Sequence, residues 1–173
     1  MDGRRFLIGW GALALFFALG VAVVGRVPAE TARTVLLRPV SGDGLDGPGD
    51  YYVMVQYDLG TIDLSRVASD GAGYFPGDSV YVVLAREAQG ARAVAVERQP
   101  PATGLALRGV VTGQARGRLS VLYGVESFAV PENDRASFDA FPRPFDVRVR
   151  IDDGGAARVV GLAAAGKTLP LSL

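Results

Sequence analysis

Between residues 145 and 152 the chain alternates without exception: Phe145, Val147, Val149 and Ile151 are apolar, while Asp146, Arg148, Arg150 and Asp152 are charged. A period of two belongs to an extended strand, whose side chains point by turns to opposite faces, so this stretch has one face to bury and one to wet. On a helix the same apolar residues would spread around the circumference and form no buried stripe. Asp153-Gly154-Gly155 then lets the backbone reverse, and residues 157–163 supply a second apolar strand.

Similar runs recur upstream. Residues 34–40, 51–59, 79–87, 91–98, 105–112 and 118–123 are strand candidates, separated by Gln89-Gly90, Pro100-Pro101 and the glycines between 113 and 117. Within residues 51–59, Tyr51, Val53, Val55, Tyr57 and Leu59 share one face and Tyr52, Met54, Gln56 and Asp58 the other. Residues 41–49 hold so many glycines and aspartates that no regular element is expected there. Residues 60–76 read as a second loop with at most one helical turn around residues 64–67. Residues 133–140 are the exception, two helical turns capped by Asn133 or Asp134. About eight strands without a long amphipathic helix predict an all-β barrel or sandwich over residues 34–173.

Ahead of that domain, residues 6–24 carry no charge over 19 positions. At about 1.5 Å per residue the run reaches roughly 28 Å, close to the hydrocarbon thickness of a bilayer. A cleaved signal peptide has a shorter apolar core of about 7–15 residues, so an uncleaved anchor over residues 6–25 is expected. Ala18-Leu19-Gly20 keeps cleavage open. Residues 1–5 then form a cytoplasmic N-terminus and residues 26–33 a juxtamembrane spacer. Arg4 and Arg5 before the run are balanced by Arg26 and Arg33 after it. The orientation, N-terminus inside, therefore follows by analogy with signal anchors. Ala14, Ala18 and Ala22 recur every four residues, either as a helix-contact stripe or as ordinary small residues of a membrane helix; the ordinary reading is favoured. The expectation is a single-pass inner-membrane protein, in contact with the lipid bilayer through residues 6–25, with its β domain periplasmic.

Composition narrows the chemistry. There is no cysteine and no histidine. Thiolate sites, the usual general base near neutral pH and imidazole-dependent triads are excluded. Acidic and basic residues balance at 18 each without runs of one sign, so a nucleic-acid partner is not expected. No metal-ligand spacing appears, no cofactor is expected, and Asp152-Asp153-Gly154 reads as a hairpin turn rather than a calcium loop.

Several segments together resemble one family. They are Val35-Leu36-Leu37-Arg38, Gly49-Asp50-Tyr51 with Tyr57-Asp58-Leu59, Gly77-Asp78-Ser79-Val80-Tyr81-Val82, Leu107-Arg108-Gly109, and Tyr123-Gly124-Val125-Glu126-Ser127-Phe128-Ala129-Val130-Pro131-Glu132. In this order, after a hydrophobic N-terminus, they resemble the bacterial GDYxxLxY proteins over nearly the whole chain. Gly49 to Tyr57 is one residue longer than that motif allows, and Ala129 stands where the family pattern has an aromatic. If Tyr57 is the motif tyrosine, Asp50 and Tyr51 take the motif's Gly and Asp positions, and a β-bulge or longer turn absorbs the extra residue. The resemblance implies membrane anchoring, an extracytoplasmic β domain and association with multi-pass membrane proteins. It brings no established activity.

The motif residues have two readings each. Asp50 and Asp78, following glycines at strand entrances, either bond to nearby backbone amides or serve as acids; the turn reading is favoured. The repeated Pro-Gly-Asp at 48–50 and 76–78 reads as turn chemistry rather than a duplicated half-domain. Tyr51 and Tyr57 either pack with hydroxyls at the rim or line a groove. Tyr123, Gly124, Glu126, Phe128, Pro131 and Glu132 place a carboxylate between aromatics, where Glu126 is either a tuned acid or a structural partner of an arginine or the backbone; the structural role is favoured. A signal-peptidase-type serine with a lysine base is rejected, because the sole lysine, Lys167, is expected in a turn and no serine motif follows the apolar run. The chain is thus expected to be an accessory or interaction module for an integral membrane protein, leaning away from enzyme. The alternative is an envelope hydrolase or ligand-binding domain using Tyr123 and Glu126.

Overall fold

In the computed structural model, which describes residues 33–46, 51–70, 73–87 and 90–171, the regular structure is almost entirely strand. The elements are β1 (Arg33–Leu37), β2 (Pro39–Asp46), β3 (Tyr51–Tyr57), a 3-10 turn (Asp58–Gly60), β4 (Thr61–Asp63), β5 (Ala68–Ser69), β6 (Ser79–Glu87) and β7 (Gly90–Glu97). They continue as β8 (Leu105–Ala115), β9 (Arg118–Leu122), β10 (Ser127–Val130), α1 (Glu132–Asp139), β11 (Asp146–Ile151), β12 (Ala157–Ala164) and β13 (Lys167–Pro170). The domain is all-β, as its alternation predicts. The apolar run at residues 6–25 lies outside the described residues, as do Gly49 and Asp50. Among the described residues no helix is long and apolar enough to cross a membrane.

The strands form three sheets, ordered β4-β9-β8-β6-β7-β5, β1-β11-β12-β13 and β10-β3-β2. All pairings are antiparallel except β5 with β7. Each sheet turns one face to a shared core. Val53 and Val55 come from β3, Val35 and Leu37 from β1, Val147, Val149 and Ile151 from β11, and Val80, Val82 and Leu107 from β6 and β8. The charged residues of β11 face outward, so the strand buries the face its alternation predicts. The sheets also touch through backbone bonds: the Arg108 amide of β8 donates to the carbonyl of Gly155 at the β11–β12 turn, 2.8 Å away.

Several expectations are corrected or sharpened. Residues 41–46 are not irregular: with Pro39 and Val40 they form β2, paired to β3 from Pro39↔Tyr57 to Asp46↔Tyr51 with an irregularity between Pro39 and Ser41. An edge strand needs only one hydrogen-bonded side and few packed side chains, which is why glycines and aspartates fit it. The strand count rises from about eight to thirteen among the described residues, because β2, β4, β5, β10 and β13 are short or poor in apolar residues. Residues 60–76 are not all loop, since β4 and β5 lie within them; between the two, where at most one helical turn is expected, the Asp63 carboxylate accepts the Ser65 amide at 3.0 Å and hydroxyl at 2.6 Å, closing a tight turn. Lys167 opens β13 rather than sitting in the turn. The helix starts at Glu132 after Pro131, which supplies no side-chain cap, so Asn133 and Asp134 lie in its first turn.

Gly109 explains the Leu107-Arg108-Gly109 segment. Leu107 is in the core and the Arg108 amide reaches Gly155, while a Cβ at 109 would lie 2.9 Å from the Leu122 carbonyl and 3.0 Å from the Tyr123 ring, and would strike the Val121 side chain. Only a hydrogen leaves room for that ring against β8. Gly109→Ala is therefore expected to cost about 1–3 kcal/mol or more through overpacking. At Gly113, where a new Cβ meets nothing within 4 Å, alanine should change stability by no more than about 1 kcal/mol. Thermal melts of the two variants check the contrast.

Candidate functional site

Two chain crossings lie side by side at one corner. After β3 the chain leaves the three-stranded sheet through the 3-10 turn and enters the six-stranded sheet as β4; after β9 it makes the opposite passage into β10. A strand that changes sheets gives up ladder partners, and its buried carbonyls need new donors. The tyrosines supply them reciprocally. Tyr57 donates its hydroxyl to the carbonyl of Val125 at 2.8 Å, and Tyr123 donates its own to the carbonyl of Leu59 at 2.7 Å, both in buried surroundings.

Glu126 completes the corner. Its Oε1 accepts the Tyr123 amide at 2.6 Å and its Oε2 the Gly124 amide at 2.8 Å, while its backbone carbonyl accepts the Val55 amide at 2.8 Å. Gly124 makes this loop possible, since its φ of +77° lies where side-chain-bearing residues are strained. Burial, with the Glu126 carboxylate second, pushes both phenols well above the usual tyrosine value, so both hydroxyls stay protonated as donors. The expectation that the Tyr57 hydroxyl sits at the rim is corrected: the ring is in the core. Of the two structural roles open to Glu126, the backbone contact is the one found.

The other motif residues are placed as follows. Phe128 faces the core, Pro131 leads into α1 with its carbonyl accepting the Asp134 amide at 2.8 Å, and Glu132 is exposed in the first helical turn, where a negative charge suits the helix dipole. Asp78 takes the turn role, its carboxylate accepting the Phe75 amide at 3.0 Å. Tyr51 stands apart from Tyr57. It is half-buried, with the Arg135 guanidinium 3.9 Å from its ring centroid and Phe138 at 5.6 Å. The β3 ladder has no irregularity against β10; the β2–β3 irregularity lies on β2, at Val40. Val55 and Tyr57 point inward, whereas Met54 and Gln56 are exposed.

Tyr51 borders a cleft of about 250 Å³ with Val53, Val55, Phe138, Phe145, Arg143, Pro144 and residues 39–42. Phe138, Arg143 and Phe145 were not singled out from the sequence as a site. Their signal is Phe141-Pro142-Arg143-Pro144-Phe145, aromatics and prolines around one cation immediately after a helix. A second cleft of about 400 Å³ holds Arg38, Asp58, Asp63, Arg66, Glu87 and Arg92, but Arg66 pairs with Asp63 at 3.4 Å, Arg92 with Glu87 at 2.7 Å and Arg38 with Asp146 at 3.6 Å, while the Asp58 carboxylate accepts the Leu59 amide at 2.7 Å. Among the described residues no acidic cluster of three or more could hold a metal ion.

Another unforeseen lock is Tyr74, whose hydroxyl donates to Asp70 at 2.7 Å and the Val96 carbonyl at 3.1 Å under the Arg98 guanidinium. Burial and the Asp70 carboxylate raise its phenol to about 12, and the same hydroxyl holds the Asp70 carboxyl below the usual range.

Fold and corner together define an all-β domain whose sheets are joined through tyrosine-to-carbonyl bonds between two motif segments. The chain belongs to the GDYXXLXY protein family, whose profile matches residues 15–162. The resemblance read from the motifs is thereby borne out. No curated protein and no solved structure matches the chain.

Tyr57→Phe and Tyr123→Phe each leave a buried carbonyl without its donor and are expected to lower stability by about 1–3 kcal/mol, read from denaturant unfolding. The alkaline limb has a definite sign. Folded-state phenol values lie above the unfolded value of about 10, so their stabilisation is complete below about pH 10 and is lost as pH rises through the folded values. The melting temperature should fall above about pH 10, less steeply in either phenylalanine variant.

Proposed function

We propose that this chain is a membrane-anchored accessory module whose extracytoplasmic β domain works with a multi-pass membrane protein. The observation that carries this reading is the state of Glu126: both carboxylate oxygens accept backbone amides, so the motif carboxylate is spent on shaping a turn. The uncharged run at residues 6–24 supports an anchor, and the family resemblance implies the membrane partner. Exposed apolar side chains support contact with another protein. Tyr52 and Met54 lie on the outer face of β3, and Val110 and Leu122 sit opposite each other on β8 and β9. The module is a single-pass inner-membrane protein with residues 1–5 cytoplasmic, residues 6–25 in the lipid bilayer and the β domain periplasmic.

The alternative, a hydrolase or ligand-binding domain built on Tyr123 and Glu126, needs those groups free to meet a ligand. Against it stand the buried Tyr123 hydroxyl on Leu59 and the doubly bonded Glu126 carboxylate. Glu126→Gln separates the two readings. An amide keeps one acceptor but turns an NH₂ toward the second backbone amide, so the variant should lose about 1–2 kcal/mol, seen first as a lower melting temperature. Full stability with abolished function would favour the alternative. Solubilisation in mild detergent and affinity capture should recover a multi-pass membrane protein with the chain; recovery of the monomer alone would count against the accessory reading. A reporter fused after Leu173 should be active outside the cytoplasm, and activity confined to the cytoplasm would overturn the orientation.

A further inference from the structure

The cleft beside Tyr51 has a chemistry that the accessory reading does not use. Among the described residues its lining is apolar and aromatic, Val53, Val55, Phe138 and Phe145 with Tyr51 at the side, and contains one charged side chain, Arg143, and no carboxylate. Arg143 is exposed. Its guanidinium lies 4.8 Å from the Phe138 ring centroid and 5.3 Å from that of Phe145. Among the described residues it has no acidic partner, whereas neighbouring Arg135 is bonded to Asp139 at 3.1 Å. Ring faces hold a guanidinium in place without accepting its N–H fork, which leaves those donors for an anion. At about 250 Å³ the cleft falls below the roughly 300–1,000 Å³ of sites for drug-sized ligands, which suits a slim chain rather than a ring system.

We propose that this cleft binds the end of a single acyl chain bearing an anionic head, with the chain against the exposed Val40 and the half-buried Tyr51 and Phe145, over a floor of Val53, Val55 and Phe138, and the carboxylate or phosphate on Arg143. The proposal is independent of any protein partner. It is tested by titration calorimetry on the full chain reconstituted in nanodiscs of zwitterionic lipid, with heats from empty nanodiscs subtracted. The probes are octanoate, octyl phosphate and octylammonium below their aggregation limits. At least one of the two anions should bind about tenfold more tightly than the ammonium, the scale of one charge-assisted contact. A preference for octanoate points to a free carboxylate source, and a preference for octyl phosphate to a phospholipid-like one. Arg143→Gln should weaken the anion about tenfold with a melting temperature lowered by no more than a few degrees, the scale of its ring contacts, while Arg143→Lys, which keeps the charge, retains most of the affinity. Val40→Trp, at an exposed rim position, should weaken all three probes by obstructing the cleft. No heat above empty nanodiscs, equal affinity for anion and cation, or an anion affinity unmoved by Arg143→Gln would overturn the proposal.

Discussion

Two buried hydroxyls, each donated to a carbonyl in the other's turn, hold together the corner at which the chain twice changes sheets. A sheet switch is where a β domain is weakest in hydrogen bonding, because the ladder on one side has ended before the ladder on the other begins. In a low-dielectric corner an unpaired carbonyl is costly, and a tyrosine offers a donor on a long rigid arm whose ring fills the core beneath it. The Glu126 carboxylate orders the backbone amides of the same turn. The motif residues thus act together as a fastening.

Other parts of the fold fit around that corner. The Tyr123 ring needs the space that Gly109 leaves open, and Arg108, next to it, ties β8 to the β11–β12 turn through its amide. A segment of three residues, Leu107, Arg108 and Gly109, therefore fills the core, links two sheets and admits the ring of the fastening. Toward the other end of β3 the constraint relaxes. There Tyr51, Phe138, Phe145 and Arg143 leave a cleft with a cation at its mouth, and that is where ligand chemistry is to be sought.

Strands β3, β6 and β11 were legible in the sequence because each buries one face, and a period of two survives whatever the tertiary packing. Strand β2 was not, since an edge strand built from Gly42, Asp43, Gly44 and Asp46 carries no such period and is placed by its ladder with β3. The structural role of Glu126 was legible as a choice between an arginine and the backbone, but only geometry could decide it. The tyrosine partners were beyond reach, because Tyr57 meets a carbonyl 68 positions away and Tyr123 one 64 positions away, and backbone acceptors have no sequence signature. The cleft is divided in the sequence between the helix candidate that contains Phe138 and the strand that Phe145 opens, and no period links the two.

The central claim is that the two motif segments act as one unit. A double-mutant cycle on Tyr57→Phe and Tyr123→Phe, measured by equilibrium unfolding of the full chain, tests it most directly. If the corner is a single fastening, opening one bond loosens the turn that presents the other. The double variant should then depart from the sum of the singles by about 0.5–3 kcal/mol. Additivity within about 0.3–0.5 kcal/mol would show two independent hydrogen bonds and contradict the account.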